Sequence, residues 1–134
     1  MIQSNELRSG NLIIGTYENE DDNLMHETIC TFKFYNCYDN YYNVESKDGI
    51  EEFTSFKPIP LTEEILLKCG FKLSHKGFTY DKKRLSICLP CDSYKNGRVY
   101  FNSWCISEKS IDSLHQLQNL YWCLCGEELT FNNL

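Results

Sequence analysis

The chain has 134 residues, a hydrophobic fraction of 42% and a formal net charge of -6. That length makes one domain or two very small lobes sharing a core, and that apolar fraction excludes wholesale disorder. The acidic balance argues against a protein that coats nucleic acid, which needs clustered Lys and Arg, and no window approaches the ~18 apolar residues of a membrane span.

The opening, Met1-Ile2-Gln3-Ser4-Asn5-Glu6, has no charged segment leading into an apolar one, so a cytoplasmic location is expected. Residues 1–60 read as a small antiparallel barrel of SH3-like type. Leu12-Ile13-Ile14-Gly15 is a short apolar run. Thr28 to Phe34 alternates like a half-buried strand, and Tyr41 to Glu45 is another. Asp48-Gly49 is a hairpin signal that predicts Ile50 to Phe56 as the return strand. Pro58-Ile59-Pro60 ends the sheet, because proline cannot donate to a ladder.

Residues 61–134 read as a helix, a second antiparallel sheet and a terminal helix. Thr62 is an N-cap candidate, Glu63 and Glu64 suit the positive end of a helix, and Gly70 stops it. A meander follows: Phe71 to Leu73, a turn at His75-Lys76-Gly77, Phe78 to Tyr80, Leu85 to Leu89, Arg98 to Phe101 after the Asn96-Gly97 turn, and Trp104 to Ile106. The spacing of Leu114, Leu117, Tyr121 and Leu124 predicts a helix from about Ser110 to Cys125, with Gly126 as its stop. Leu129 to Phe131 is a candidate edge strand. The fold class is therefore α+β, with helix content of roughly a fifth to a quarter against a typical third.

Eight cysteines in such a chain are most simply free thiols. Cys30, Cys37, Cys69, Cys105, Cys123 and Cys125 sit beside aromatic or aliphatic residues and read as core or sheet positions. Cys88-Leu89-Pro90-Cys91 has the spacing of half a zinc site or a redox pair, but no second pair of zinc-finger spacing accompanies it. No metal and no cofactor is expected.

Catalytic signatures are missing from the chain. Glu127 and Glu128 are adjacent and share no helix face. His26 and His75 stand alone in polar stretches, and Ser86, Ser93 and Ser103 lack a nucleophile-elbow context. The candidate ligand-binding residues fall in two groups. Arg84 and Arg98 offer the guanidinium fork that suits phosphate or carboxylate, with Tyr100 and Trp104 nearby as stacking surfaces. His115, Gln118 and Asn119 share a face of the terminal helix and can read a base edge or a ribose, and Trp122 lies on the same side as Gln118. The competing reading of the helix group is that it ties the helix to backbone carbonyls. For the Arg group it is the charged solvent face of a sheet.

Three blocks carry a resemblance: Asn5-Glu6-Leu7-Arg8-Ser9-Gly10-Asn11-Leu12, then Lys57 through Thr62-Glu63-Glu64 to Phe71, and His115-Gln116-Leu117-Gln118-Asn119-Leu120-Tyr121 through Gly126-Glu127-Glu128-Leu129. In order and combination they resemble a family of small proteins encoded by phages and prophages of Bacteroidetes. Cys123 and Cys125 depart from that pattern, standing where small or aliphatic residues are expected. The resemblance implies a setting rather than a mechanism: a non-enzymatic accessory protein acting by occupancy, in counter-defence, by sequestering a nucleotide-type signal. The alternative is a protein-binding adaptor or inhibitor of a host protein. A small nucleotide hydrolase ranks third. Partners are then a nucleotide-like small molecule or a host protein, with no membrane and no nucleic acid, and a homo-oligomer is compatible with either.

Overall fold

The computed structural model describes residues 2–75 and 77–132, so Lys76, the middle of one expected turn, lies outside the described residues. The fold is α+β, with two antiparallel sheets and a C-terminal helix. The chain divides into two compact units: residues up to Ile59 together with Ser113–His115, and Pro60–Asp112 together with the chain from Gln116 onward.

The first unit is a four-stranded sheet of order β3-β2-β1-β4, with β1 Leu12–Glu18, β2 Met25–Asn36, β3 Tyr41–Ser46 and β4 Ser55–Lys57. Period-two alternation sets its buried face. Ile13, Cys30 and Phe32 point inward with Ile2, and the half-buried Leu7, Tyr42, Val44, Phe53 and Phe56 pack around them. The Tyr42 hydroxyl donates to the Ile2 carbonyl at 2.6 Å, which pins the N-terminal segment to the sheet. Gly15 lies under Phe53: a Cβ there would sit 2.5 Å from the ring and 2.8 Å from Cys30 Sγ.

The expected Ile50 to Phe56 return strand is corrected. Only Ser55–Lys57 is strand, and it pairs with β1, not with Tyr41–Ser46. After β3 the Ser46 hydroxyl donates to the Ile50 carbonyl and the chain turns away. Phe53 and Phe56, 5.4 Å apart, then bury against the core from the β1 side. Hydrophobic burial of two rings outweighs a local hairpin preference.

The second unit is a meander of order β5-β6-β7-β8-β9: β5 Lys72–Leu73, β6 Tyr80–Lys82, β7 Leu85–Cys88, β8 Arg98–Phe101 and β9 Trp104–Ser107. Helix α1, Glu63–Lys68, starts at Thr62, whose Oγ1 accepts from the Ile65 N–H at 3.3 Å. It ends in a Schellman arrangement: Gly70 has φ +88°, its N–H bonds the Leu67 carbonyl, and the Phe71 N–H bonds the Leu66 carbonyl. Leu66, Phe71, Leu85, Ile87, Val99, Leu117 and Tyr121 form the buried core with Cys69 and Cys88.

Helix α2 is Leu114–Cys125, shorter than expected. The residues before it are held elsewhere: the Ser110 N–H donates to Asn96 O, and Asp112 O accepts from the Leu61 N–H. A helix from Ser110 would need the Asp112 carbonyl for the Gln116 N–H, and that carbonyl is spent on Leu61 instead. The two α-helices hold 6 and 12 residues, below the expected share. Leu129 to Phe131 is not a strand. Leu129 is buried, and the Asn132 N–H bonds the Lys68 carbonyl at the end of α1. This tail therefore satisfies an orphan helix carbonyl instead of extending a sheet. Among the described residues no helix is long and apolar enough to cross a membrane.

Candidate functional site

Strand alternation in the second sheet separates two faces. Tyr80, Leu85, Ile87 and Val99 turn to the core. Asp81, Ser86, Tyr100 and Cys105 are register partners across β6, β7, β8 and β9 and share the opposite face. A cleft of about 340 Å³ opens there. That is the lower end of the range typical of small-molecule sites. Asp81, Ser86 and Tyr100 line it from the strands; Ser74, His75, Phe78 and Thr79 come from the β5–β6 turn, Tyr94 from the β7–β8 loop and Ser103 from the β8–β9 turn.

Two rings, Phe78 and Tyr94, lie 6.2 Å apart at 38° and form one wall. The Arg98 guanidinium lies over the Tyr94 ring, 4.4 Å from its centroid. Hydrogen bonding to Tyr100 is the main influence raising the Arg98 pKa above its ordinary value. The arginine thus lies over one lining tyrosine and is hydrogen-bonded to another. At the floor, Asp81 Oδ1 is shut off from solvent and has no hydrogen-bond partner. The Thr79 hydroxyl donates to Ser74 Oγ at 2.9 Å, which fixes the turn at the mouth.

The eight sequence-predicted residues are spread over the chain. Arg98 and Tyr100 come together at this cleft. Arg84 is exposed and lines a second cleft of about 400 Å³ with Lys83, Phe101, Leu124 and Cys125. Trp104 is 78% exposed on β9, and Trp122 is exposed on α2. Asn119 is half-buried, while His115 and Gln118 are buried, at 2% and 1% exposure. Sequence reasoning passed over Phe78, Asp81 and Ser86 as ligand contacts. The alternation in Tyr80-Asp81-Lys82 was the available signal, since it turns Asp81 away from the face that buries Tyr80.

Two adjacent lysines at the end of β6 and the start of its turn have internal partners. Lys82 Nζ donates to the Cys69 carbonyl at 2.7 Å and lies 5.3 Å from the Tyr121 ring centre. Lys83 pairs with Glu127. His26 does not stand in a loop: it lies in β2, 2.8 Å from Asp22 and stacked on Tyr17. The cysteines are all free. Cys105 is a sheet position, exposed on β9, whereas Cys37 at a turn and Cys123 on α2 are exposed and are neither core nor sheet, against expectation. Burial pushes the Cys30 and Cys69 thiols up to about 11, and raises Cys88 with further help from Cys91. Raised thiols are poor nucleophiles.

His115 gives a pH prediction. Its Nδ1 is 3.2 Å from Ser113 Oγ, and its buried Nε2 has no partner. Desolvation holds its pKa below 6.5, with Glu6 opposing. The unfolded chain therefore takes up the proton first as pH falls below 6.5, and stability is lost from there down through the folded value. Thermal melts should drop between pH 7 and pH 5, and the drop should shrink in His115→Leu. Equal drops in both proteins would assign the loss to other groups.

No family model, curated protein or solved structure matches this chain.

Proposed function

We propose that this chain is a non-enzymatic phage accessory protein that sequesters a nucleotide-type signal in the outer cleft of the second sheet. The observation that carries the reading is the pairing of aromatic walls with a held guanidinium. Phe78 and Tyr94 suit a flat base, and Arg98 stands at the margin to meet phosphate. Of the eight residues predicted to bind, the reading rests on Arg98 and Tyr100; Arg84 lines a separate cleft with Lys83, Phe101, Leu124 and Cys125. Calorimetric titration against cyclic and ADP-ribose-type nucleotides tests it. One ligand should bind per cleft, and Tyr94→Ala or Arg98→Ala should weaken binding at least about tenfold, the scale of one lost charged or stacking contact. Silence across the panel removes the proposal.

A protein-binding role keeps one supporting observation. Phe34, Tyr35, Tyr38 and Tyr41 are exposed together on the β2–β3 hairpin, with Tyr38 at 93%. Exposed aromatics of this kind mark protein contacts. A stoichiometric partner captured from host lysate, and lost in Tyr38→Ser, favours that role.

We also read the first sheet as an SH3-like barrel. The register shift between Phe32 and Phe34 in β2 supports this, since a bulge adds the bend and twist that closure needs.

A further inference from the structure

We infer that the outer cleft selects a guanine-type base through the Asp81 carboxylate. This rests on the nucleotide reading above and sharpens it to one ligand class.

Asp81 is the only carboxylate among the described residues lining the cleft. It is flanked across the strands by Ser86 and, one strand on, Tyr100. Its Oδ1 is removed from water with no hydrogen bond to compensate. Such an oxygen costs free energy until a donor reaches it. Rotation about the last side-chain bond is soft, so the carboxylate can turn both oxygens to a planar ligand. Lys72 is the register partner of Asp81 across β5, but its side chain is exposed.

A carboxylate accepts hydrogen bonds and donates none. Two oxygens side by side therefore want two donors side by side. Guanine presents N1–H and the 2-amino group together on one edge. Adenine places its amino group beside the lone pair of N1, and cytosine places its own beside the lone pair of N3. Uracil has one N–H between two carbonyls. Three of the four common bases thus set a lone pair or carbonyl against Asp81. With the base edge on Asp81 and its face on the wall of Tyr94 and Phe78, the ribose and phosphate extend toward Arg98, whose guanidinium lies over the Tyr94 ring.

The test is titration of the full chain with the 5′-monophosphates of guanosine, inosine, adenosine and xanthosine, for wild type and Asp81→Asn. Guanosine should bind tightest, inosine at least about tenfold weaker for want of the 2-amino donor, and adenosine weaker still. Asp81→Asn offers one donor and one acceptor, so it should lose the guanosine preference and favour xanthosine, which presents N1–H beside a carbonyl. Its melting temperature should equal or exceed that of wild type, because the neutral amide costs less to keep from water than the carboxylate with its unpartnered Oδ1. Adenosine binding as tightly as guanosine, or an unchanged ranking in Asp81→Asn, overturns this inference and leaves the nucleotide reading standing. Binding of tetramethylammonium in place of any nucleotide overturns both. The wild-type ranking decides the question even if the variant fails to fold.

Discussion

Replacing Gly97 with valine should cost the protein about 3 kcal/mol or more of stability. Gly97 has φ +69°, a left-handed conformation that costs an L side chain about 1–2 kcal/mol. Space is the larger obstacle. A Cβ at this position would lie 2.4 Å from the Cys88 carbonyl oxygen, 2.4 Å from Ser110 Cβ and 3.2 Å from Pro90 N. None of these is the free end of a flexible chain. The segment is tied on both sides, by Gly97 N–H to Tyr94 O and Ser110 N–H to Asn96 O. Overpacking against fixed backbone adds at least about 1–3 kcal/mol. A loss of about 3 kcal/mol or more is a large share of the 5–15 kcal/mol that holds a domain together. Urea denaturation measures it. Gly77→Ala is the control: Gly77 has φ +85° but nothing within 4 Å of its Cβ, so only the conformational cost of about 1 kcal/mol applies. Equal losses for Gly97→Ala and Gly77→Ala would refute the steric argument. The same loop presents Tyr94 and leads into Arg98, so on the nucleotide reading proposed above the variant should also bind its ligand more weakly.

Local chemistry was legible in the sequence where local chemistry decides the structure. Thr62 and Gly70 bound α1 because capping is a matter of a few adjacent residues. Leu117 and Tyr121 proved buried because a 3.6-residue period needs no knowledge of the partner. Arg98 and Tyr100 came together because alternate residues of one strand share a face. What stayed hidden depends on groups far apart in sequence. The Ile50 to Phe56 segment carries a strong turn signal, yet its rings find a better place over Gly15. The start of α2 is set by Asn96 and Leu61, which no helix pattern contains. His115 and Gln118 read either as a ligand face or as ties to backbone carbonyls, because amphipathic patterns sort by residue type, whereas burial is decided by what the face meets. Asp81 was invisible as a contact for a related reason. Its alternation can be read along one strand, but a carboxylate oxygen without a partner emerges only when β6, β7 and the β5–β6 turn are set in register.

Tyr121→Ala should destabilise the protein by about 3–5 kcal/mol, the range for removing a large buried aromatic. The ring is fully buried in the core of the second unit. It also joins three elements. Its hydroxyl donates to Glu127 Oε1 at 3.0 Å, just beyond α2. Lys82 faces the ring and donates to the Cys69 carbonyl at the C-terminal end of α1, where a cation is favoured by the helix dipole. Glu127 is held in turn by Lys83 from the β6–β7 turn, and the two contacts keep its pKa below the ordinary value. Burial, reinforced by the hydrogen bond to Glu127, pushes the phenol up to about 12, so the hydroxyl remains a donor throughout the physiological range. Tyr121→Phe separates the contributions. It keeps the ring and the cation–π contact but removes the donor. Glu127 is half-exposed and retains Lys83 and water, so the cost should be only about 1 kcal/mol. The expected order in urea denaturation is therefore wild type, then Tyr121→Phe, then Tyr121→Ala well below both. Near-equal losses for the two variants would move the weight from ring packing to the hydroxyl, and the second unit would then be held at this point by a polar junction, not by its hydrophobic core.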